Sequence, residues 1–375
     1  MNRKPIKQIL IICICVLTGL GAGIGCSAIA GSGNLSCLQP AAEKAAYADN
    51  SFEYWNDSAK ARNFLKEYVQ QAVNPDAAGH IPPENRIAVF DMDGTVISET
   101  NAHYLEYMMF IHRVLEDDSW QAPEEIKTFT REQMVPAVYN RNFSTEVSHQ
   151  LYLYMKDVYA GMTADEFEQY VLDFLEQPVN GMKNMTYKES IYLPMTNVIQ
   201  FLQDNGFMVY MVSGSDRLLT RAVASTLLNV PRNQIIGTDS SFVSSSQEGK
   251  DGEFFNMKAD DSIVRGTASY GKTLKMNKAA AIQTEIGIQP VLAFGNTPGD
   301  ESMLIYAMQN NPYSSQSFIL VCDDDQRDHG DPRIAQAARD LTEKDNLIPI
   351  SMKDDFKLIY PEKAQLTDIV QPEYY

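Results

Sequence analysis

The sequence is short of cysteine and of positive charge, and each shortage excludes a class of protein. Five cysteines occur among 375 residues, and only Cys322 lies in the region that the patterns below predict to fold. A disulfide framework and a cysteine-rich metal site are therefore excluded. Lysine and arginine number 31 against 49 aspartates and glutamates, for a net charge of −18. Because a basic surface is the mark of a nucleic-acid-binding protein, no nucleic-acid partner is expected.

The chain nevertheless contains enough apolar material for a folded core. Hydrophobic residues make up 44% and charged residues 21% of the sequence. These fractions argue against wholesale disorder. The length allows one domain together with a second, smaller one.

The N-terminus has the pattern of an export signal. Three basic residues near the start precede an apolar run over residues 9–24, which is the order of a charged region followed by an apolar region in such signals. We predict a signal over residues 1–25, with an uncleaved anchor as the alternative. Lipidation at Cys26 and cleavage at a later small-residue site both remain open. Residues 26–50, rich in Ala, Ser and Gly, are interpreted as a flexible tether.

This signal places the expected site of action outside the cytoplasm, either secreted or at the cell surface. The only membrane contact that the sequence predicts is through the N-terminal signal, anchor or lipid. The sequence predicts no protein partner.

Short apolar runs alternate with helical patterns in most of the remaining chain. The runs are of the kind that forms buried parallel strands, and they cover residues 87–90, 207–212, 291–294, 318–321 and 347–350. Helical patterns follow the later runs, at residues 217–228, 278–286, 301–309 and 332–341. This alternation predicts an α/β fold with a mostly parallel sheet covered by helices on both faces.

Two segments interrupt the alternation. Residues 100–195 contain no clear strand and read as four or five helices, which predicts a helical cap inserted after the first strand. Residues 239–271 are rich in Ser, Gly and Asp and predict hairpins or a flap within the core. The core itself is then expected to comprise residues 51–99 and 196–375.

Polar side chains directly follow the first strand of the predicted sheet in sequence. Asp91 and Asp93 are one residue apart on a tight turn at the strand end, where open α/β sheets bind their ligands. The first carboxylate can attack an electrophile and hold a cation, and the second can give and take a proton. Taken alone, such a turn resembles a calcium loop, but the further acidic ligands of a calcium loop are absent.

The later strands end in polar residues of complementary chemistry. Ser213 and Gly214 form a turn suited to phosphate oxygens. Residues 295–300, with sequence GNTPGD, offer oxygen donors suited to magnesium. Lys278 opens a helix ahead of that strand and could bring an ammonium group to the same edge of the sheet. Each feature alone is usually a surface turn or a solvated lysine, but all four occur in order at strand ends.

Together these motifs resemble the haloacid dehalogenase superfamily. Residues 90–95 resemble its first motif, DxDGT, residues 212–214 its second, Lys278 its third and residues 295–300 its fourth. The likeness extends over roughly residues 52–361 and is similar to an exported bacterial branch labelled phosphoserine-phosphatase-like or acid-phosphatase-like. The resemblance implies a Rossmann-like core with a cap, and catalysis through an aspartyl-phosphate.

The resemblance also implies roles for individual residues. Asp91 would be the nucleophile, and Asp93 the general acid and base. Ser213 would hold a phosphate oxygen, with Thr95 and Gly214 also contacting the substrate. Because the hydrolytic dehalogenases of the superfamily lack the second aspartate, Asp93 indicates phosphatase chemistry.

A Mg²⁺ site and a lysine complete the implied machinery. Asn296 and Asp300 would hold the metal together with Asp91 and the backbone carbonyl of Asp93. The fourth motif commonly begins Gly-Asp, so the uncharged Asn296 predicts weaker metal binding. Lys278 is the favoured motif lysine, with Lys275 and Lys272 as alternatives.

The expected function is a Mg²⁺-dependent phosphomonoester hydrolase for a small phosphorylated substrate. Glu99 lies where phosphoserine phosphatases recognise an amino group, so a dedicated enzyme for phosphoserine or phosphocholine is one alternative. A catalytically weak binding protein on the same fold is another. His103, Tyr104 and Tyr107 share one helical face and are expected to pack between cap helices or to line the pocket.

Overall fold

The computed structural model describes residues 52–99 and 103–374. The predicted export signal (residues 1–25) and tether (residues 26–50) lie outside the described residues. Within the described part of the chain, no helix combines the length and the hydrophobicity needed to cross a membrane.

The strands of the described residues are β1 Ile87–Phe90, β2 Met182–Lys183, β3 Met208–Asp216, β4 Ile235–Thr238, β5 Ser240–Ser244, β6 Ile263–Ser269, β7 Leu292–Gly295, β8 Gln316–Val321, β9 Ile348–Ser351 and β10 Gln365–Leu366. Six of them form one sheet in which every neighbouring pair is parallel, in the order β4-β3-β1-β7-β8-β9. The remaining four form two antiparallel pairs, β5 with β6 and β2 with β10.

Helices connect the parallel strands, as the alternating pattern predicts. They are α1 Lys60–Val73, α2 Leu105–Leu115, α3 Glu124–Phe129, α4 Val135–Tyr139, α5 Thr145–Val158, α6 Ala164–Leu175, α7 Leu193–Asp204, α8 Arg217–Leu227, α9 Met276–Glu285, α10 Glu301–Met308, α11 Pro332–Asp345 and α12 Met352–Asp355. A π-helical segment, Thr130–Met134, joins α3 to α4. The predicted fold class, an α/β core with a mostly parallel sheet, is confirmed.

The centre of the sheet is held by apolar strands that are buried on both faces. All four residues of β1 are buried. Phe90, Phe294 and Phe318 lie side by side on β1, β7 and β8, and their rings stack at centroid distances of 4.2 and 4.8 Å. Such stacking adds to the burial of large apolar rings. The carboxyl ends of β1 and β7, which the sequence places next to the acidic motifs, are thereby fixed side by side.

The segment after β1 is helical, from α2 to α6, with two differences from the prediction. The expectation that residues 100–195 hold no strand was wrong at β2, which pairs with the distant β10. Helix α7 begins at Leu193 and packs against β3, so the predicted boundary at residue 195 falls inside its first turn. Residues 239–271 contain the β5–β6 hairpin. The assignment of these segments as cap and flap domains stays a prediction.

Candidate active site

The motif residues meet at a cavity of about 160 Å³ beyond the carboxyl ends of β1, β3 and β7. Five of the lining residues are acidic and two are lysines. The polar and charged residues that line it are Asp91, Asp93, Glu99, Tyr104, Glu106, Tyr107, Ser215, Lys272, Lys278, Asn296, Thr297 and Asp300.

Asp91 stands at the first position beyond β1. Its backbone N–H donates to the carbonyl of Phe294 at 2.9 Å, which extends the parallel ladder by one residue and fixes the carboxylate. The hydroxyl of Thr95 donates to Asp91 Oδ2 at 3.2 Å, and the ammonium of Lys278 contacts Oδ1. Asp91 is therefore held on both oxygens at the cavity wall.

Lys278 lies between two carboxylates. Its Nζ also lies 2.7 Å from Oδ1 of Asp300, and the side chain is 1% exposed. Burial opposes the charge of this lysine, but Asp300 and Asp91 outweigh it and hold its pKa above the ordinary value. Of the two other candidates, Lys275 is exposed at the start of α9, whereas Lys272 lines the cavity.

Asp300 has partners on both oxygens. While Oδ1 faces Lys278, Oδ2 accepts from the backbone N–H groups of Asn296 at 3.0 Å and Thr297 at 3.1 Å. These contacts close the loop after β7 and orient the lysine. The predicted role of Asp300 as a metal ligand stays a prediction, because the structure shows its carboxylate in other contacts.

Asp93 faces the cavity from the turn that follows β1. Ser215 donates its hydroxyl to Asp93 Oδ2 at 2.7 Å, while Oδ1 is buried without a hydrogen-bond partner. Gly94 makes this turn possible, since its φ of +78° is one that other residues rarely adopt. Burial raises the pKa of Asp93 to about 6, although the Ser215 hydroxyl acts in the opposite direction. A carboxyl with that pKa can both give and take a proton near neutral pH.

Asp91 and Glu99 also resist ionisation. Burial raises the pKa of Asp91 to about 7; Asp300 raises it further, and Lys278 lowers it. Burial and the nearby Asp91 raise the pKa of Glu99 well above its ordinary value, and a hydrogen bond from Asn296 opposes them. The cavity therefore has five acidic side chains beside two lysines, and burial makes at least three of those carboxyls harder to ionise.

The segment Ser213–Ser215 was predicted as a turn after a strand, but it lies within the last part of β3. Ser213 is completely buried, and its hydroxyl oxygen accepts from the backbone N–H of Ser215 at 3.1 Å. Gly214 and Ser215 line the cavity instead. Ser215 belongs to the same Ser-Gly-Ser sequence as Ser213. The sequence indicated that a hydroxyl would reach the cavity there, but it could not show which of the two serines provides it.

Sequence reasoning missed Glu106 and the charged pair that it forms with Lys272 at the cavity. Glu106 on α2 lies 3.4 Å from the ammonium of Lys272, which follows β6. The other oxygen of Glu106 accepts from the backbone N–H of Asp216 at 2.9 Å, and the ammonium of Lys272 lies 5.6 Å from the ring centroid of Tyr107. Glu106 lies on α2 and Lys272 lies between β6 and α9, so only tertiary contacts bring the two residues to one cavity.

Of the three aromatic side chains predicted on one helical face, only Tyr107 lies on α2, because that helix begins at Leu105. Tyr104 and Tyr107 line the cavity. His103 packs between the rings of Tyr104, at 4.2 Å, and Phe143, at 5.2 Å. Burial lowers the pKa of His103 to about 4, so this histidine is neutral near pH 7.

Comparison with protein families identifies the group to which this arrangement corresponds. A family model described as haloacid dehalogenase-like hydrolase matches residues 88–304, which is more than half of the chain. The chain belongs to this family. The match runs from β1 into α10 and so includes every motif residue named above.

Three of the solved structures that this haloacid dehalogenase-like hydrolase matches share little sequence with it. A protein of unknown function from Bordetella pertussis Tohama I is 14% identical, with 71% of this chain and 98% of that chain covered and a TM-score of 0.46. A phosphoserine phosphohydrolase-like protein from Francisella tularensis is 16% identical, with 63% and 87% covered and a TM-score of 0.34.

Cytosolic 5'-nucleotidase IIIB bound to cytidine is 14% identical, with 78% of this chain and 94% of that chain covered and a TM-score of 0.42. No curated protein matches the chain. The family assignment therefore rests on the family match.

Enzymes of this superfamily generally use Mg²⁺, and the donor set fits that ion in its chemistry. Within the described residues, no group of three or more His, Cys, Asp or Glu side chains is arranged to hold a metal. A magnesium site would instead combine a carboxylate oxygen of Asp91, the amide oxygen of Asn296 and the backbone carbonyl of Asp93. All are hard oxygen donors of the kind Mg²⁺ prefers. A divalent cation would favour the ionised form of the acidic side chains around it, and these outnumber the lysines at the cavity by five to two.

Proposed function

We propose that the chain is a Mg²⁺-dependent phosphomonoester hydrolase that acts through an aspartyl-phosphate on Asp91. One observation carries the proposal: two buried carboxylates, Asp91 and Asp93, share a small cavity with a buried lysine. Lys278 contacts the first carboxylate, and Ser215 holds the second at 2.7 Å. This arrangement supplies a nucleophile, a proton donor and a cation at one point.

The proposed reaction has two displacements at phosphorus. In the first, a carboxylate oxygen of Asp91 bonds to phosphorus and the ester P–O bond breaks, while Asp93 gives a proton to the leaving oxygen. In the second, Asp93 takes a proton from water as that water attacks phosphorus, and the Asp91–phosphorus bond breaks. Lys278 balances negative charge on the phosphoryl oxygens and on Asp91 throughout. When bound, Mg²⁺ would supply further positive charge for the phosphoryl group.

The cavity supports a small substrate. Its volume of about 160 Å³ lies below the range of about 300–1,000 Å³ that is usual for larger ligands. Tyr104 and Tyr107 provide an aromatic wall, and Glu106 and Lys272 provide one charge of each sign. The leaving group would contact these four residues, since the phosphoryl group would face the motif residues on the opposite side.

A phosphatase dedicated to a cationic phosphoester is the second candidate. Glu99 Oε2 is buried at the cavity without a hydrogen-bond partner, and the rings of Tyr104 and Tyr107 could face a cationic group. Glu99→Gln should then slow hydrolysis of phosphocholine more than hydrolysis of para-nitrophenyl phosphate. An equal fall on both substrates would exclude cation recognition by Glu99.

We also propose that the enzyme acts outside the cytoplasm. The support is the basic and apolar pattern of residues 1–25. Fractionation of cells that express the full chain, with mass spectrometry of its N-terminus, would test this. An intact N-terminus on protein recovered only from the cytoplasm would contradict it.

The first experiment is hydrolysis of para-nitrophenyl phosphate by the purified chain, with Mg²⁺ and with a chelator. Asp91→Asn should remove activity by at least about 10³-fold, because the nucleophile is lost. Asp325→Asn, the same change at an exposed aspartate, is the control and should keep the activity. Full activity in the chelator or in Asp91→Asn would contradict the mechanism. A folded but inactive wild-type chain would favour the binding-protein alternative.

A further inference from the structure

Two neighbouring cavities share a wall formed by one charged pair. Beside the cavity that contains Asp91 and Lys278 lies a second, smaller one of about 40 Å³, and Glu106 and Lys272 line both. The second cavity exceeds the roughly 10–15 Å³ that a single water molecule needs, so it can hold a group of a few atoms. A leaving group that extends past Lys272 would therefore enter the second cavity.

The two lysines of the first cavity differ in how fully their charge is paired. Lys278 contacts Asp91 and lies 2.7 Å from Asp300, and 1% of its side chain is exposed. Within the described residues, Lys272 has one ion-pair partner, Glu106, at the longer distance of 3.4 Å, and 29% of its side chain is exposed. An ammonium group has three donors, so Lys272 keeps donors for a further acceptor.

Glu106 does not keep the same capacity. One of its oxygens accepts from the backbone N–H of Asp216 at 2.9 Å, and the other faces Lys272. Its side chain is only 6% exposed. Of this pair, the lysine is therefore the member that can bind a polar group of the substrate.

The second cavity adds a further cation. Each of the three acidic side chains that line it belongs to an ion pair: Glu106 pairs with Lys272, Asp216 with Arg265 at 2.7 Å, and Asp239 with Arg217 at 2.6 Å. Lys156 on α5 also lines this cavity, is half-buried, and forms no ion pair with any residue that the structure describes. The charge left without a partner along the second cavity is thus positive.

The aromatic wall is also arranged around a cation of the protein itself. The ammonium of Lys272 lies 5.6 Å from the ring centroid of Tyr107, within the distance of about 6 Å at which a cation is attracted to such a ring. A cationic leaving group at this ring would meet the like charge of Lys272. An anionic one would be attracted to it.

We propose that Lys272 and Lys156 bind an anionic group of the leaving group, so that the substrate is a phosphomonoester whose alcohol carries a second anionic group. This inference rests on the proposed function and deepens it by naming the substrate class. The phosphoryl group would face Asp91 and Lys278, and the leaving group would extend past Lys272 toward Lys156. Hydrogen bonds from an ammonium to an anion are stronger than those between neutral groups, so the two lysines would determine specificity.

The test compares three phenyl phosphates that differ only in the para substituent, which is carboxymethyl, carbamoylmethyl or aminoethyl. At pH 7 these substituents are anionic, neutral and cationic, respectively. With Mg²⁺ present, kcat/KM of the wild type should be at least about 10-fold higher for the carboxymethyl ester than for the carbamoylmethyl ester, the effect of one hydrogen bond between charged groups. The aminoethyl ester should be the poorest substrate of the three.

Variants assign the preference to the two lysines. Lys272→Met and Lys156→Met should each lower the ratio of kcat/KM for the carboxymethyl ester to that for the carbamoylmethyl ester by at least about threefold. Lys272→Arg keeps the charge and should retain most of the preference. Lys275→Met, the same change at an exposed lysine that lines neither cavity, is the matched control and should keep the ratio of the wild type.

The Lys156→Met variant keeps the proposal testable if Lys272→Met folds poorly. It leaves the contact between Lys272 and Glu106 in place and changes a side chain that is only half-buried. An unchanged ratio in either methionine variant would overturn the proposal.

The outcomes separate this inference from the proposed function. A folded wild-type chain that hydrolyses none of the three esters would overturn both. Hydrolysis of all three esters with similar kcat/KM would overturn the inference alone. A preference for the aminoethyl ester would also overturn it, and would support the phosphatase dedicated to a cationic phosphoester.

Discussion

The ion pair between Arg265 and Asp216 joins the β5–β6 hairpin to the end of β3, and replacing the arginine gives a sharp test of the structure. Arg265 donates to both oxygens of Asp216, at 3.2 and 2.7 Å, and its guanidinium lies 4.1 Å from the ring centroid of Phe167. Arg265 is 4% exposed, and Asp216 is 8% exposed. The pair is thus withdrawn from water together with a cation–π contact to α6.

Arg265→Met should lower the free energy of unfolding by about 3 kcal/mol, the lower end of the range for breaking a buried pair. The lower end applies because Asp216 keeps three other donors: the backbone N–H of Leu218 at 2.8 Å, that of Leu219 at 3.4 Å and the hydroxyl of Ser240 at 2.8 Å. Adding Asp216→Asn should recover part of the loss, since it removes the buried charge left without its partner. The measurement is urea unfolding at pH 7, followed by tryptophan fluorescence and circular dichroism.

A second arginine–carboxylate pair provides the control. Arg232 donates to both oxygens of Glu168, at 2.6 and 2.5 Å, but its side chain is 53% exposed. Because solvent screens such a pair, Arg232→Met should cost at most about 1 kcal/mol. Equal losses in Arg232→Met and Arg265→Met would refute the reasoning, since burial would then not decide the outcome.

The pH dependence of stability tests the Arg265–Asp216 ion pair in a second way. Burial opposes ionisation of Asp216, but Arg265 outweighs it and holds the pKa of that carboxyl below its ordinary value. A carboxyl with a lowered pKa in the folded state contributes stability above its unfolded pKa of about 4 and loses it as the pH falls through the folded value. The difference between wild type and Arg265→Met should therefore narrow below about pH 4. A constant difference down to pH 3 would contradict this account.

Three further changes are expected to act through single contacts. Lys278→Met should lower turnover of para-nitrophenyl phosphate by at least about 10²-fold. Lys275→Met, at an exposed position, should leave turnover unchanged. Equal losses in the two variants would contradict the assignment of Lys278 as the motif lysine. Gly94→Ala should lower the free energy of unfolding in urea by at least about 1 kcal/mol, because Gly94 has a positive φ and an added Cβ would collide with Asn296. A variant as stable as the wild type would contradict this. Thr163→Ala should cost about 1 kcal/mol by removing the capping box of α6, and a loss below about 0.3 kcal/mol would count against the cap.

Much of the fold could be predicted because its central strands are buried on both faces. Such strands are nearly continuous apolar runs, and residues 87–90 coincide with β1. Three strands were not predicted: β4, a short buried run at the edge of the parallel sheet, and the pair formed by β2 and β10. β2 and β10 are two residues long and pair with each other across more than half of the described chain. Their pairing depends on tertiary contacts, which local patterns do not report.

The motif lysine shows how the fold resolves what spacing leaves open. Lys275 and Lys278 are three residues apart, so on a helix they would share a face. The structure places Lys275 before the first turn of α9, at a φ of +53°, and Lys278 within that turn. The two side chains therefore leave the backbone from different geometries, and Lys278 alone of the two is buried against Asp91. A boundary shift of a few residues, too fine for sequence patterns, decides which lysine enters the site.

The charge of the cavity is a property of the fold that composition could not reveal. A net charge of −18 says only that acidic residues are in excess, and most of them are free to face solvent. The acidic residues at the cavity come from the turn after β1, from α2 and from the loop after β7. Their approach costs energy unless cations offset it, because buried like charges repel. Lys278 and Lys272 offset part of that cost, and the remainder is the physical reason to expect that a divalent cation stabilises the folded chain before any substrate is bound.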